Sequence, residues 1–487
     1  MTVVVTGATG HVGANLVRAL VEAGEDVRAI VRDYIKPLEG LKVEQVKADI
    51  LSLDSLNQAF SGAEIVYHLA GYISILEYHA PDLNKVNAEG TRNVVKACLD
   101  CKVKRLIYTS SIEALMQPGG PDPIDETDPT DPTKLPSAYS RSKWAASLEV
   151  LEGVKNGLDA VIVHPTAVVG PNDFKPSLLG QTFIEFAHRK LPAFVPGGFD
   201  FVDVRDLASG IIAAAKKGRR GERYLLSGSF VDLPSLATVL EESTGTARPR
   251  MIVPLWLAKF AARFTPLYYR NSKARPRFTI QSLKLLNDGR QVSCAKAKTE
   301  LDYNPRPGLD AVKAAVDWFI ENNYIRKIYR SKKDPGIVIL VAMFVLVCLA
   351  GGIFELFNAA GWSKLFGVAG LLVGILYFWI SWPVAYEITS EMLLVRGGPF
   401  RWKIPLDSIK EVSPSRTPIS APAWSWKRLQ VRYTKNNKTA FVLISPKDRQ
   451  AFMNKLAQVA PGLELHDNRL VKSMKKPVAD KQGASDG

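Results

Sequence analysis

At 487 residues the chain is too long for one ordinary domain, and at roughly 100–200 residues per domain it predicts two to four. An apolar content of 47% marks a globular protein with a large core, and four cysteines (Cys98, Cys101, Cys294, Cys348) exclude a disulfide scaffold. The formal charge of +15 would suit a nucleic-acid binder if it were spread over a soluble surface, so its location matters.

The opening MTVVVTGATG has no basic region and no long apolar run, so no secretory signal is expected and a reduced, cytosolic setting fits. TVVV predicts a short buried strand that runs into TGATGHVGANLVRALVEAG. Gly7, Gly10 and Gly13 punctuate the strand-to-helix turn, and Asn15–Ala23 continues as an amphipathic helix. Such glycines allow a tight turn, close approach of backbone N–H groups to a pyrophosphate, and close packing of helix on strand. The second strand, DVRAIVRD, ends at Arg32, followed by Asp33. An arginine there suits a 2′-phosphate and favours NADP, whereas Asp33 leaves NAD open.

VEQVKADI predicts a third strand ending at Asp49 and Ile50, AEIVYHLAG a fourth, and KRLIYTSS a fifth. Helical stretches (SLDSLNQAF, NKVNAEGTRNVVKACLD) fall between them, which implies a parallel sheet covered on both faces. Cys98 and Cys101 form a C-x-x-C inside one of these helices, with no second pair or histidine cluster nearby, and read as two ordinary thiols. No metal site is expected. The acidic, proline-rich PDPIDETDPTDP reads as a solvated loop near the active site.

SAYSRSKWAASLE places Tyr139 and Lys143 four residues apart, on one face of a helix that Ser137 can cap. Tyr-x-x-x-Lys also occurs at Tyr269–Lys273 and Tyr329–Lys333, so context must choose. The first pair follows five strand signals and the glycine loop; DAVIVHPTAVVGP then supplies a further strand and turn. A lysine ammonium beside the phenol would lower its pKa toward neutrality, as a general acid–base requires. Tyr269–Lys273 reads as part of a substrate-side region or its surface. FVPGGFDFV and MIVPLWLAKFAARFTPLYY are apolar enough either to line a pocket or to be core.

The set TGATGHVG, ADI, VYHLAG, YTSS, YSRSK and HPTAVVGP resembles the extended short-chain dehydrogenase/reductase superfamily over about Met1–Asn323, and within it the dihydroflavonol-reductase-like group. The resemblance implies Tyr139 as proton donor or acceptor, Lys143 as its partner and Ser111, rather than Ser110, as the third member. It implies that Lys143 also bonds the nicotinamide ribose, and that the cofactor is held by Gly7, Thr9, Gly10, His11, Val12, Gly13, Arg32, Asp49, Ile50, Leu69, Ala70, Gly71, Tyr139, Lys143, Pro165 and Val168. Dehydratases of the superfamily are expected to carry an Asp-Glu pair directly after the active-site hydroxyl; Ser111-Ile112-Glu113 lacks it. SSIEALMQPG also lacks the valine-tyrosine-glycine run of many epimerases, which leaves carbonyl reduction or alcohol oxidation in front.

Residues 335–354 are twenty uncharged residues and 365–386 twenty-two more, each near the ~20 needed to cross a bilayer. A short linker makes them a hairpin, and the basic RKIYRSKKD before the first span, which contains Tyr329 and Lys333, argues that both soluble parts face the cytoplasm. Gly370 and Gly374 form a G-x-x-x-G, a helix-contact pattern that chance also produces in so glycine-rich a helix. Beyond it, YEITSEMLLVRGG, RWKIPLD, KRLQVRYTK and KTAFVLI predict strands and KDRQAFMNKLAQV a helix, a pattern that resembles the bacterial pleckstrin-homology-like domain. Its Arg401, Lys403, Lys427, Arg428 and Arg432 suit either anionic headgroups or an ordinary basic surface.

The fold expected is therefore α/β: a Rossmann-type doubly wound parallel sheet with a smaller substrate-binding region (1–325), two transmembrane helices (335–386), a small β-rich domain (387–465) and a polar, disordered tail (466–487). The partners expected are NADP, with NAD open, a small-molecule substrate of lipid-like character, and a lipid bilayer. Nucleic acid is not expected, because much of the positive excess lies beside or beyond the apolar spans; a homodimer is compatible. A nucleotide-sugar epimerase and a cofactor-sensing scaffold stay open as alternatives.

Overall fold

The computed structural model describes residues 2–472 apart from 118, 121, 128–129, 250, 265–279, 281–282, 284–285, 359–360, 382–383, 390 and 418–422. Tyr269–Lys273 and the end of the expected tail lie outside the described residues. The chain forms two compact units, Met1–Ile325 and Arg326–Gly487.

Along the first unit run β1 (Thr2–Thr6), α1 (His11–Glu22), β2 (Asp26–Val31), β3 (Glu44–Lys47), α2 (Leu53–Phe60), β4 (Ile65–His68), α3 (Ala80–Leu83), α4 (Gly90–Asp100), β5 (Arg105–Thr109), α5 (Ala138–Lys155) and β6 (Ala160–Pro165). With β10 (Arg223–Leu226), these strands make a seven-stranded sheet in the order β10-β6-β5-β4-β1-β2-β3, every pair parallel. Side-chain alternation explains its two faces: Val3 and Val5 pack with Leu16, Leu20 and Ile211, while Val4 packs with Val66, Val94 and Leu106. Winding reverses between β1 and β4, which opens a crevice at their carboxyl ends.

The remainder of this unit supplies β7 (Ala167–Val169), α6 (Leu178–Ala187), β8 (Ala193–Phe194), β9 (Gly198–Asp203), α7 (Val204–Lys217), β11 (Ser229–Asp232), α8 (Leu233–Thr244), β12 (Met251–Ile252), α9 (Leu255–Ala262), α10 (Ala295–Leu301) and α11 (Gly308–Glu321). Phe183, Phe186, Phe201 and Phe319 are buried in a core of their own beside β9. The acidic loop is more than solvated. Its Ile124 is fully buried and bridges Val292, and Glu126 accepts the Leu225 N–H at 2.6 Å.

In the second unit β13 (Ile328–Arg330) pairs antiparallel with β14 (Val384–Ile388), and α12 (Pro335–Asn358) and α13 (Lys364–Ser381) are inserted between them. The expected β-rich domain thus begins before the apolar helices, inside the basic stretch taken for a flank. β13 and β14 join β15 (Met392–Gly397) and β16 (Phe400–Pro405) in one sheet. A second sheet holds β17 (Ile409–Ser415), β18 (Arg428–Lys435), β19 (Lys438–Ile444), β20 (Leu463–His466) and β21 (Arg469–Lys472), with α14 (Arg449–Val459) between β19 and β20. Tyr386, Leu393, Ile404, Val431 and Phe452 fill the core. The expected tail is ordered through Lys472, because β21 pairs with β17 and β20.

Among the described residues one helix, α12, has the length and mean hydropathy (3.0) to cross a membrane. The second apolar run falls short because its end is a strand: Val384–Tyr386 pair with Gly397–Val395. Pro383, which cannot continue a helix, precedes that strand in the sequence. The two helices pack through small residues. A Cβ on Gly370 would stand 3.4 Å from the Gly352 Cα, and one on Gly374 would stand 3.1 Å from the Cys348 Cβ, so the G-x-x-x-G lies on the contact face.

Candidate active site

The loop after β1 is shaped by glycine. Gly7 has φ +70°, and a Cβ there would stand 2.7 Å from the Ala70 nitrogen; a Cβ on Gly13 would stand 2.1 Å from the Gly7 oxygen. Gly10 caps α1 without a side-chain bond and no acidic residue occupies the first turn, so its N–H groups and partial positive charge face the crevice. Thr9, His11 and Val12 complete the turn; the His11 ring is held to the Pro171 carbonyl at 3.0 Å. Leu69, Ala70 and Gly71 follow β4 across the crevice, and Asp49 and Ile50 follow β3. Asp49 accepts the Leu51 N–H at 3.0 Å, while Ile50 fills the space that a Cβ on Gly90 would take.

At the end of β2, Arg32 and Asp33 are both exposed. Lys47 pairs with Asp33 at 3.2 Å, and among the described residues Arg32 has no hydrogen bond or ion pair. β2 and β5 are separated by β1 and β4, so roughly 14 Å of sheet edge at ~4.8 Å per strand lies between Arg32 and Ser111. An extended dinucleotide laid along that edge fits this bare glycine cradle.

At the other end of the edge, α5 begins in a capping box. The Ser137 hydroxyl accepts the Ser140 N–H at 2.9 Å and the Ser140 hydroxyl accepts the Ser137 N–H at 3.0 Å. This fixes Tyr139 and Lys143 one turn apart against β5. Ser111, half-buried just past β5, lies near the Tyr139 phenol and opposes the rise that burial imposes on it. Ser110 points away and pairs with Ser147 at 3.1 Å. Pro165 ends β6 and Val168 lies in β7, half-buried over the first core.

The electrostatics differ from the expectation in one respect. Lys143 sends its ammonium to the Thr109 carbonyl (2.8 Å) and the Tyr108 hydroxyl (3.4 Å). The Tyr139 phenol is pushed up rather than down, by burial and by the Glu113 carboxylate, with Ser111 opposing. Burial brings Lys143 down to about 7.

Four neighbours escaped sequence reasoning. Glu113, raised to about 7 by burial, accepts the Ser137 hydroxyl at 3.3 Å. The His164 Nδ1 lies 3.0 Å from the Ser111 carbonyl. His68, lowered to about 3 by burial and Lys143, bridges Thr6 (2.8 Å) and Thr91 (2.9 Å) beneath the loop. Asn87 bonds both ways with the Tyr72 backbone, at 2.7 and 2.9 Å, from a π-helical turn over Asn84–Glu89. Such turns concentrate at functional sites, but no sequence signal marks this one.

The NAD dependent epimerase/dehydratase family matches residues 3–227, and the bacterial PH domain matches residues 384–460. The chain is 40% identical to sterol demethylase protein B of Methylococcus capsulatus over 330 residues, which are 67% of this chain and 100% of that protein. It is 34% identical to a putative dihydroflavonol 4-reductase of Synechocystis over 328 residues, 66% of this chain and 95% of that one. The crystal structure of gox2253 superposes with a TM-score of 0.59 at 33% identity, over 66% of this chain and 99% of the other. The glycine cradle, the parallel sheet and two relatives matched over almost their whole length agree: the chain belongs to the NAD-dependent epimerase/dehydratase family, the extended short-chain dehydrogenases/reductases, and is an NAD(P)-dependent oxidoreductase.

Proposed function

We propose that the protein is a membrane-anchored, NADP-dependent oxidoreductase that reduces the carbonyl of an apolar, lipid-soluble substrate or oxidises the matching alcohol. The observation that carries this reading is the meeting of Ser111 and Tyr139 at the same sheet edge as the glycine cradle. Gly7–Gly13, Arg32 and Gly71 would hold NADP along that edge, and the cofactor would supply or accept the hydride. Tyr139 Oη gives its proton to the carbonyl oxygen, or takes it from the alcohol, and the Ser111 hydroxyl donates to the same oxygen as negative charge grows there. Lys143, held beside β5 by the Thr109 carbonyl, would bond the nicotinamide ribose.

Arg32 supports NADP over NAD because it is unpaired among the described residues, whereas Asp33 is already engaged by Lys47. The membrane reading rests on α12 and on strand register. Val384 pairs with Gly397, which pairs with Phe400, so the half-exposed Phe400 lies at the sheet end from which the apolar helices leave. Trp426, also half-exposed, donates its N–H to Asp334 directly before α12. Aromatic and basic residues at such a boundary are the pattern of an interfacial belt. A lipid-soluble substrate suits this placement, and the relative named for sterol demethylation supports it.

Fluorescence titration of the purified chain with NADPH and NADH tests the cofactor assignment. The expected result is preference for NADPH, lost in Arg32→Ala. Preference for NADH, or NAD that co-purifies, would favour the epimerase instead. Activity that is the same for micelle-borne and water-soluble carbonyl compounds would remove the lipid part of the reading.

A further inference from the structure

Of MIVPLWLAKFAARFTPLYY, read as core or pocket wall, the described stretch 251–264 is buried on one side only. Its inner side is small: Ala258 and Ala262 are buried against Leu283 and Leu286. Its outer side is large and bare. Trp256 is 71% exposed, Phe260 54% and Phe264 57%, and Met251 and Ile252 on β12 are 56% and 63% exposed. Spacing of four places Trp256 and Phe260 on one face of α9, and Phe264, two residues past its end, makes edge contact with Phe260 at 5.5 Å. At 100° per residue Lys259 and Arg263 border that stripe on one side. Isolated exposed apolar residues need no explanation, but a contiguous aromatic patch edged by cations does.

We infer that β12 and α9 form a second membrane contact, in which Trp256 and Phe260 enter the acyl boundary of a leaflet and Lys259 and Arg263 meet anionic headgroups. The residue types are those of an interfacial helix: aromatic residues on one side and cations at its border. The chain itself favours a bilayer over another occupant, because only residues 326–334 separate this unit from the start of α12. The inner side of α9 packs on Val195 and Phe199, and Phe199 belongs to β9, whose Asp200 accepts the Gly228 N–H. A substrate dissolved in the leaflet would meet this wall of the substrate region first. The inference rests on the reading of a bilayer-held enzyme but not on its catalysis.

The test uses the full chain and Trp256→Phe, reconstituted in phosphatidylcholine–phosphatidylglycerol vesicles with or without brominated acyl chains. Subtracting the variant's emission from that of the parent isolates Trp256. The expected result is that this difference emission is mostly lost in brominated vesicles and resists aqueous acrylamide. Difference emission that survives bromination overturns the inference: quenching by acrylamide would then place Trp256 in water, and protection from both quenchers would place it under protein, such as a second copy. Flotation with vesicles reports anchoring separately. A chain that floats with Trp256 unquenched overturns this contact alone, and a chain that does not float overturns both. NADPH binding, titrated in parallel, should be equal in parent and variant and monitors the reductase reading independently.

Discussion

The ammonium nitrogen of Lys143 lies 2.8 Å from the main-chain oxygen of Thr109, on the strand side of α5. It is buried there, and burial lowers it from 10.5 to about 7. Between those values the unfolded chain holds a proton that the folded chain releases, so stability rises with pH through that window and the burden is complete below about 7. Lys143→Met should therefore stabilise the cofactor-free protein near neutral pH by on the order of 1–3 kcal/mol, a gain that fades toward the ordinary lysine pKa. Thermal unfolding at acidic and alkaline pH checks this. An equal gain at both would show that the ammonium is not the source.

Glu113 gives the second titration. Above about 7 its carboxylate is charged, and that charge is one cause of the raised Tyr139 phenol. Glu113→Gln removes it, so the phenol loses its proton more readily; on the proposed reading, in which Tyr139 Oη is the base of alcohol oxidation, the alkaline midpoint moves to lower pH by roughly one unit. The pH profile of turnover measures the shift, and an unmoved midpoint would mean that Glu113 does not act on Tyr139. Tyr139→Phe should lose about 10²–10⁴-fold in turnover across the whole range.

The parallel sheet was legible because strands covered on both faces become uninterrupted apolar runs: Val3–Val5 and Ile65–Tyr67 are buried throughout. The start of α5 was legible for a local reason, since its capping bonds run between Ser137 and Ser140, three residues apart. What stayed hidden depends on distant partners. Tyr329 sits among basic residues, yet it is buried against Phe452, and its strand pairs with one that begins at Val384, beyond both apolar helices. Lys143 satisfies the spacing for contact with Tyr139, but its direction is set by the Thr109 carbonyl, which no local pattern announces. Glu113 could have been found: it lies two residues past Ser111, and charge at that distance from a candidate hydroxyl was a signal passed over.

The glycine cradle can be tested without chemistry. A Cβ on Gly13 would stand 2.1 Å from the Gly7 oxygen and 2.9 Å from the Ala8 Cα, both rigid backbone atoms. Gly13→Ala must push α1 away from the loop and should weaken NAD(P)H binding at least tenfold, on the order of 1.4 kcal/mol. Gly24→Ala is not a clean control, because Gly24 has φ +79°. Fluorescence titration of Gly13→Ala beside the parent, with circular dichroism to confirm folding, decides it; unchanged affinity would mean that the first turn of α1 is not the pyrophosphate seat.

The hairpin offers a sharper control. A Cβ on Gly352 would stand 2.8 Å from the Gly367 oxygen, and one on Gly367 would stand 2.8 Å from the Gly352 oxygen, so α12 and α13 touch backbone to backbone. Gly351, one residue earlier, has nothing within 4 Å of its Cβ position. Gly352→Leu should therefore part the helices at a cost on the order of 1–3 kcal/mol, whereas Gly351→Leu should be tolerated. Cys348 supplies the readout. The Cβ position of Gly374 lies 3.1 Å from its Cβ, so with an outward shift of a few tenths of an ångström to the roughly 3.5–4.5 Å of a disulfide, Gly374→Cys should cross-link to Cys348 under mild oxidation. Cross-linking should persist with Gly351→Leu added and disappear with Gly352→Leu. Loss in both would point to general disorder of the hairpin, and retention in both would show that contact at Gly352 does not hold the helices together.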